Sequence, residues 1–430
     1  MFTRYLIIFF ITSFFLSANA GVKIDTWKTS AGSKVFFVEN HDLPIIDVSI
    51  SFRAGSARDN KDNNGLASLT NNFILLGSDG MNEKDVHNKF TDIGAQLDSD
   101  FDHDKSGFSL RTLSEKKNEA FKLFKTVIHR PNFDSSILDR EKKKYYASIS
   151  QGETEPDVIA NKAFLGAVYG SHPYGLPESG SIKTIQPLKS IDLVNFYNNY
   201  YSSSYAYIVI VGDLTVDEAK TFSEELSSGL ATSKNNHSYE EVSINSPKDI
   251  KISHPSSQAH LLFGYPIMKR GDPEFFPLYI GNYILGGGGF SSRLTEEVRE
   301  KKGLVYSVYS YFMPLIEKGP FQVGLQTKKN QIDEALSLVK STITKFINEG
   351  PTEKELKGAK DNLIGGFPMR LDSNKKILDY LTMMNFYDYP LDYLDTFSDS
   401  VKKVTAKEIQ SAFQSRVDIN QFSTIIVGIE

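Results

Sequence analysis

The stretch on which the fold assignment rests covers residues 65–77 and reads GLASLTNNFILLG. Its apolar side chains recur at steps of three and four residues, which predicts an amphipathic helix that ends near the final glycine. These side chains are Leu66, Leu69, Phe73 and Leu76. Elsewhere on the helix, Ser68 and Asn72 stand four residues apart with Asn71 beside them, so three small polar side chains share one region of its surface.

Helical and strand patterns alternate along the chain on both sides of this helix. Strands are predicted at residues 35–38, 45–52 and 205–214, and a two-strand hairpin at 95–114. Further helices are predicted at residues 86–93, 115–129, 135–169, 188–200 and 217–230, the third with an interruption near 152–156. Residues 231–239 are polar and weakly patterned, which makes them the best candidate for a linker.

After this linker the same order of elements returns, which indicates a duplication. Three segments of the first half have a counterpart about 210 to 216 positions later, in the same order. The matched segments are 119–128 with 334–343, 207–212 with 423–428, and 73–77 with 283–287. The sequence therefore predicts two homologous halves of mixed helix and strand.

The second half carries a glycine-rich motif. Residues 285–294 read LGGGGFSSRL, and residues 296–308 follow with EEVREKKGLVYSV. A glycine run alone is weak evidence because such loops serve many backbones. The longer string also places Arg299 and Tyr306 seven residues apart.

Together, the helix frame and the glycine-rich string resemble the pitrilysin/insulinase family of zinc peptidases, which includes the mitochondrial processing peptidases. The resemblance covers nearly the whole mature chain. It implies an α+β fold of two homologous half-domains, each a mostly antiparallel sheet with helices packed on one face. We expect these halves to cover residues 21–232 and 240–430. Pairs of such subunits close around a peptide chamber.

Active members of that family carry an H-x-x-E-H helix in this frame, whose two histidines hold zinc and whose glutamate is the general base. Here Ser68, Asn72 and Asn71 stand at those positions, and the third ligand position matches Ser148. Zinc sites are built from thiolate, imidazole or carboxylate donors, and an amide at Asn71 has no proton-accepting lone pair for base catalysis. We therefore expect no metal at the family position of this chain.

Other residues could in principle hold a metal. Asp98, Asp100, Asp102 and Asp104 alternate around His103, so calcium or zinc is conceivable there. Their spacing of two is also that of a solvated strand face, and the turn glycine and terminal glutamate of a calcium loop are missing. The remaining histidines lack ligand spacing and are expected at the surface or hydrogen-bonded in the core. They are His87, His129, His172 and His260.

The resemblance gives Arg299 and Tyr306 a role in catalysis and substrate binding. In family members the second half supplies such a pair to a partner's active site, where it binds the substrate main chain and stabilises the oxyanion. A guanidinium and a phenol are suitable donors for that purpose. The alternative is that Arg299 makes an ion pair at a helix end while Tyr306 packs in a strand.

The first twenty residues read as a secretory signal peptide. A positive start at Arg4 precedes an apolar run over residues 5–16 and small residues that end at Ala20. An uncleaved anchor is the alternative, but the run is short for a membrane span. No later segment is long enough to span a membrane. The chain contains no cysteine, which in an exported protein favours a bacterial envelope and, for this one, the periplasm of a Gram-negative bacterium.

These observations predict the non-zinc subunit of an exported heterodimeric zinc metallopeptidase. It would bind extended peptides, and a homologous H-x-x-E-H subunit would supply the zinc. One alternative is a catalytically inactive peptide-binding or scaffold protein of the envelope, and another is a metallopeptidase with a different metal site. The net charge of −5 and the absence of a basic run argue against nucleic acid as a partner.

Overall fold

The first half of the chain is organised around a six-stranded sheet. The computed structural model describes residues 22–232 and 238–429. The sheet order is β1-β2-β8-β3-β7-β6, and two short strands, β4 and β5, pair separately. The strands are β1 (Asp25–Lys28), β2 (Lys34–Glu39), β3 (Ile45–Phe52), β4 (Gly77–Ser78), β5 (Met81–Asn82), β6 (Gln96–Phe101), β7 (Ser106–Leu113) and β8 (Ala206–Gly212).

The helices of the first half lie close to their predicted positions. They are α1 (Leu66–Ile74), α2 (Glu83–Asp92), α3 (Lys117–His129), α4 (Ser135–Gly152), α5 (Pro156–Tyr169), α6 (Ile182–Ile185), α7 (Ser190–Tyr200) and α8 (Val216–Ser228). The predicted interruption falls between α4 and α5, where Pro156 occupies the first turn of α5, a position that needs no N–H donor. Helix α2 begins three residues earlier than its apolar pattern suggested because Asn82 and Asp85 form a capping box.

The second half is organised around a five-stranded sheet in the order β11-β12-β10-β13-β9. Its strands are β9 (Asp249–Ser253), β10 (Gln258–Met268), β11 (Val305–Phe312), β12 (Gly319–Lys328) and β13 (Ser423–Ile429). Its helices are α9 (Phe275–Asn282), α10 (Ile332–Glu349), α11 (Glu353–Gly366), α12 (Asn374–Phe386), α13 (Tyr393–Lys403) and α14 (Ala406–Arg416), with π-helical turns at Tyr283–Gly287 and Thr295–Glu300.

The two sheets have the same topology, which confirms the predicted α+β fold of two similar halves. In each sheet one pair of strands is parallel, β2 with β8 and β9 with β13, and the pairs that follow are antiparallel. Strands β2, β8, β3, β7 and β6 thus correspond in order to β9, β13, β10, β12 and β11, and β1 is an addition. Two of the three matched segments fall on equivalent elements, α3 with α10 and β8 with β13.

The third matched segment differs between the halves. Phe73 and Ile74 end α1 and Gly77 begins β4, whereas their counterpart Tyr283–Gly287 forms a π-helical turn. The glycines of that turn pack closely against β11, because a Cβ at Gly286 would lie 2.3 Å from the hydroxyl oxygen of Ser310. Similar spacing in sequence therefore gives a different local backbone where the glycines allow close approach.

Each sheet is apolar on both faces, and a helix from the opposite half covers the outer face. In β2, Val35 and Phe37 pack with the helices of the first half, whereas Phe36 and Val38 belong to the core of the second half. Helix α12 lies against β8 and β3, and the side-chain amide of Asn385 donates to the carbonyl oxygen of Ile208 at 3.0 Å.

The reciprocal contact is made by α5, which lies against β10 and β13 of the second sheet. Its residues Ala160 and Phe164 are in one buried cluster with Leu262 and Ile425. Helices α5 and α12 occupy equivalent places in the two halves, since α3, α4 and α5 correspond in order to α10, α11 and α12. The halves are therefore joined by an exchange of helices.

A buried carboxylate also joins the two halves. The side chain of Asp104 accepts hydrogen bonds from the hydroxyl of Tyr174 in the first half and, in the second half, from the hydroxyl of Tyr387 at 3.1 Å and the backbone N–H of Ile316 at 2.8 Å. Burial raises the pKa of Asp104. The prediction of a solvated strand face is confirmed for Asp98 and Asp100, which are exposed on β6. It is wrong for Asp104, because β6 ends at Phe101 and Asp104 is fully buried in the following turn.

Some sequence predictions concern residues outside the described ranges. The signal peptide at residues 1–20 and the centre of the linker, residues 233–237, lie outside them. At the far end of the linker, the hydroxyl of Tyr239 donates to the carbonyl oxygen of Asp104 at 2.7 Å. Among residues 22–232 and 238–429, no helix has the length and apolar character needed to cross a membrane.

Helix α5 belongs to the first half and packs on the sheet of the second half. Replacing Phe164 with a smaller residue should therefore destabilise both halves. We expect Phe164→Ala to lower the free energy of unfolding by about 3–5 kcal/mol. Val158→Ala, at an exposed position of the same helix, should change it by less than about 0.5 kcal/mol.

Urea denaturation followed by the fluorescence of Trp27, in the first half, and by far-ultraviolet circular dichroism checks this prediction. The two signals should give one coincident transition in the wild type and in both variants. Separate transitions, of which Phe164→Ala shifts only one, would contradict coupling through α5.

Candidate functional site

The helix that carries the family metal position, α1, begins at a buried carboxylate. Gly65 has φ of +94°, a conformation that suits glycine, and turns the chain into the helix. The side chain of Asp59 then accepts hydrogen bonds from the backbone N–H groups of Gly65 at 2.8 Å and Ala67 at 3.1 Å. Burial raises the pKa of Asp59 to about 7. The helix is thus fixed at its N-terminus.

The polar side chains of α1 are bonded within the protein. The hydroxyl oxygens of Ser68 and Tyr145 lie 3.1 Å apart. The side-chain amide of Asn71 donates to the hydroxyl oxygen of Ser106 at 2.6 Å, and that hydroxyl lies 2.7 Å from the hydroxyl of Tyr201, which is buried. At the position of the family's general base, the structure therefore has a donor within a neutral buried network.

The third position of the helix motif contacts α4. The amide of Asn72 donates weakly to a carboxylate oxygen of Glu141 at 3.4 Å. Although burial favours the neutral acid, ion pairs with Lys144 and Arg140 lower the pKa of Glu141. Ser148, two turns further along α4, is exposed. A serine hydroxyl here does not replace the glutamate ligand.

The residues at the family metal position do not fit zinc. Ser68, Asn72 and Ser148 offer only neutral oxygen and amide groups, and the hydroxyl of Tyr145 already bonds Ser68. In the described part of the chain, no group of three or more histidine, cysteine, aspartate or glutamate side chains is arranged to hold a metal ion. This finding also removes the cluster around His103 as a candidate metal site.

The structure accounts for the other histidines. His129 donates from Nε2 to the carbonyl oxygen of Leu226 at 2.7 Å, and His172 donates to the carbonyl oxygen of Glu240 at 2.9 Å. His87 is exposed and His260 is half-buried. These environments match the expectation of surface or hydrogen-bonded core histidines.

A groove of about 1080 Å³ runs beside the degenerate metal position and between the halves. Ser68 and Ser148 line it from the first half, and Met313 and Leu315 line it from the second. Its volume suits a segment of peptide or a ligand of similar size. Among the described residues that line it, neither Arg299 nor Tyr306 is present.

One wall of this groove carries a histidine and a carboxylate. His103 Nδ1 lies 2.8 Å from the hydroxyl of Ser56, and Nε2 lies 3.5 Å from Glu178. Burial lowers the pKa of His103 to about 4 and raises that of Glu178 to about 6. Near neutral pH the imidazole is therefore uncharged and the carboxylate is ionised.

In the second half, the two arginines of the glycine-rich string have different environments. Arg293 forms two hydrogen bonds with Glu355, at 2.5 and 2.7 Å, and a third with the carbonyl oxygen of Gly350 at 2.9 Å. Although burial opposes ionisation of Glu355, the Arg293 guanidinium holds the pKa of that carboxyl at about 2. Arg293 therefore attaches the glycine-rich turn to the helices behind it.

Arg299, in contrast, is available to an external ligand. Its guanidinium carbon lies 5.1 Å from the ring centre of Phe290, and its nearest carboxylate, that of Glu300, is 3.9 Å away. The alternative interpretation is an ordinary ion pair at a helix end. The distance of 3.9 Å to Glu300 is close to the longest at which two groups count as an ion pair. The Arg299 side chain is 39 % exposed.

Tyr306 is exposed for a reason that lies in the strand. Val305 pairs with Thr327 and Ser307 pairs with the adjacent Gln326, so Tyr306 is the extra residue of a β-bulge. Bulges redirect a side chain and are frequent at functional edges. Strand β11 is the edge of its sheet, and Tyr306 is 53 % exposed, which does not fit the alternative of packing within the strand.

Sequence reasoning missed several residues that shape these regions. Tyr145 and Glu141 lie three and seven residues before Ser148, spacings that place all three on one face of α4 and could have indicated them. Phe290 stood inside the quoted string, but only its position over Arg299 makes it noteworthy. The contacts of Asp104 join distant parts of the chain and have no local signal.

Comparison with known proteins supports this description of the fold and motifs. Residues 34–180 match the family model for insulinase, peptidase family M16, and residues 188–363 match the model for the peptidase M16 inactive domain. A crystal structure of a peptidase M16 inactive domain from Pseudomonas fluorescens is 33 % identical, with 95 % of this chain and 98 % of that chain covered and a TM-score of 0.91. The chain belongs to the M16 insulinase family.

Curated M16 relatives include proteins with different descriptions. A non-peptidase homolog, YmxG, of Helicobacter pylori is 27 % identical over 92 % of this chain and 91 % of its own length. An uncharacterized zinc protease YmxG of Bacillus subtilis is 25 % identical over 80 % and 83 %. The family resemblance inferred from the motifs is therefore confirmed.

Restoring the family ligands should create a zinc site in this M16 chain. We expect Ser68→His, Asn72→His and Ser148→Glu, combined with Tyr145→Ala to remove the side chain that bonds Ser68, to retain about one zinc per chain. The matched control replaces the same three ligand positions with alanine in the Tyr145→Ala background and should retain none.

Elemental analysis after dialysis against a weak chelator measures the zinc content in this experiment. The wild type should behave like the alanine control. Stoichiometric zinc in the wild type would contradict the conclusion that Ser68, Asn72 and Ser148 do not fit the metal.

The Arg293–Glu355 pair predicts a pH dependence of stability. Because the pKa of Glu355 is about 2 in the folded state and higher when unfolded, the carboxylate stabilises the fold above about pH 4.5. This contribution should decline as the pH falls from about 4.5 towards 2.

Urea denaturation of the wild type and Glu355→Gln between pH 3 and 6 checks the sign of this effect. The difference in stability between the two proteins should be largest at pH 6 and should shrink on acidification. A difference that stays constant over this range would show that ionisation of Glu355 does not stabilise the fold.

Proposed function

We propose that this chain is the non-zinc subunit of an exported heterodimeric M16 metallopeptidase. In this proposal, Arg299 and Tyr306 complete the active site of a homologous partner that carries the H-x-x-E-H motif. The observation that carries the proposal is the contrast between the two motifs. The polar groups of α1 are bonded within the chain. In contrast, Arg299, in the helical segment before β11, and Tyr306, on the edge strand β11, have exposed side chains.

The two side chains suit the stabilisation of negative charge on a peptide carbonyl. The guanidinium of Arg299 and the hydroxyl of Tyr306 donate hydrogen bonds, and within the described residues the Tyr306 hydroxyl has no hydrogen-bond partner that would compete. Zinc held by the partner supplies a Lewis acid and an activated water. This chain then binds the substrate main chain and holds donors at the oxygen that becomes charged.

The substrate class is an extended peptide. Strands β6 and β11 are equivalent edge strands of the two sheets, and such edges accept an added strand through main-chain hydrogen bonds. The proposed location is the periplasm of a Gram-negative bacterium, which is supported by the signal-like start and the lack of cysteine.

The groove beside Ser68 and Ser148 favours a second candidate function. A space of about 1080 Å³ lined from both halves suits peptide capture without cleavage, as in an inactive peptide-binding or scaffold protein of the envelope. In that case binding would not depend on Arg299 or Tyr306, because neither lines the groove in the described part of the chain.

Reconstitution with a homologous H-x-x-E-H subunit from the same genome tests the proposal. Cleavage of a fluorescence-quenched peptide library should require both chains and should be abolished by chelation. Arg299→Ala and Tyr306→Phe should each lower turnover by about 10²- to 10³-fold. Lys302→Ala and Tyr309→Phe, which change exposed neighbours, are the matched controls and should leave turnover unchanged.

The two candidate functions give different results in this assay. Chelator-sensitive cleavage by this chain alone would refute the non-zinc subunit. Peptide binding that persists in Arg299→Ala and Tyr306→Phe, with no activation of any H-x-x-E-H partner, would favour the inactive binding protein instead.

A further inference from the structure

Phe290 is the most exposed large apolar side chain in the described part of the chain. Its side chain is 77 % exposed, although a phenylalanine of this kind is normally buried. It lies at the tip of the glycine-rich turn, directly after Gly289, whose φ of +63° directs the chain outward. The exposed ring nevertheless has one definite neighbour, the guanidinium of Arg299 at 5.1 Å.

The turn that carries Phe290 is attached to the strand that carries Tyr306. The amide of Asn282 donates to the carbonyl oxygen of Ser310 on β11 at 3.0 Å, and the hydroxyl of Ser310 donates back to the amide oxygen at 2.7 Å. A Cβ at Gly286 would lie 2.3 Å from the hydroxyl oxygen of Ser310, so this packing of the turn against β11 requires glycine.

The turn is also attached to the helical segment that carries Arg299. The hydroxyl of Ser292 donates to the carbonyl oxygen of Gly289 at 2.8 Å, and its oxygen lies 3.0 Å from the hydroxyl oxygen of Thr295. The Arg293–Glu355 pair holds the same segment against the helices behind it. Phe290 therefore has a fixed place relative to the backbones of Arg299 and Tyr306.

The Arg299 side chain itself has few other constraints. Its nearest carboxylate lies 3.9 Å away on the adjacent residue, and a long exposed arginine otherwise samples many rotamers. An aromatic face attracts a guanidinium through the ring quadrupole and leaves its N–H groups free to donate outward. The ring of Phe290 thus restricts Arg299 without occupying its donors.

We propose that Phe290 is a positioning residue, which holds the Arg299 guanidinium in the orientation that meets the substrate carbonyl. The role of this orientation in catalysis rests on the proposed function. The contact between Phe290 and Arg299, in contrast, is present in the isolated chain and needs no partner. Restricting one side chain in advance raises turnover because less ordering remains for the transition state.

The contact is tested first without any partner. In the isolated chain labelled with ¹⁵N-arginine, the Nε–H resonance of Arg299, assigned by its loss in Arg299→Ala, should be shifted upfield by the ring. Phe290→Leu, which keeps an apolar side chain but removes the ring, should abolish the shift, and Phe290→Tyr should retain it. An Arg299 resonance unchanged in Phe290→Leu would overturn the proposal, whatever the partner does.

The consequence is tested in the reconstituted heterodimer. Phe290→Leu should lower kcat by about 2- to 5-fold, the effect of an exposed cation–π contact, with little change in KM, and Phe290→Tyr should restore it. In the Arg299→Ala background, Phe290→Leu should have no further effect.

The two measurements separate the possible failures. A full effect of Phe290→Leu in the Arg299→Ala background would mean that Phe290 contacts the substrate or the partner directly, and it would overturn the positioning role. A ring-dependent resonance shift together with no activation of the partner by the wild type would refute the proposed function, while the positioning of Arg299 by Phe290 would stand.

Discussion

Two sheets that are apolar on both faces impose the constraint on which the rest of this structure depends. A strand such as β2 places Val35 and Phe37 on one face and Phe36 and Val38 on the other, so covering one face leaves the second exposed to water. The structure resolves this by exchange, with α12 on the first sheet and α5 on the second. Each sheet is therefore completely buried only when the other half is folded against it.

The exchange also determines where a carboxyl group can be buried. Asp104 lies where the halves meet, and a carboxylate there is tolerated only because donors from both sides reach it. Tyr174 belongs to the first half, and Tyr387 and Ile316 belong to the second. The groove beside α1 is lined from both halves close to this junction, so the contacts of Asp104 help to fix its shape.

Most helices and strands of the first half, and the duplication itself, could be predicted because they depend on local periodicity, as in α1, α3 and α10. Features that depend on tertiary contact could not. The alternation from Asp98 to Asp104 indicated one strand face, but β6 ends at Phe101 because the chain turns to bury Asp104. Residues 73–77 and 283–287 occupy matching positions in the two repeats, but their backbone conformations differ because Gly286 packs against Ser310. The apolar run at residues 35–38 predicted a strand, but nothing in that run indicates that its second face packs into the core of the other half.

Helix α1 of the first half and helix α9 of the second half make similar contacts with the sheets they lie on. This similarity bears on which half offers groups to another molecule. The register of the repeat places Asn282 opposite Asn72, and Asn282 binds the backbone of the edge strand β11 at Ser310. In the first half, Asn71 makes the related contact, at 3.5 Å to the carbonyl oxygen of Asp100 on the edge strand β6. In both halves an asparagine thus connects the helix to its edge strand instead of facing a ligand. In this respect α1 of the first half resembles α9 of the second. Under the proposed function, the donors offered to another molecule are therefore those of Arg299 and Tyr306, beside the second edge strand.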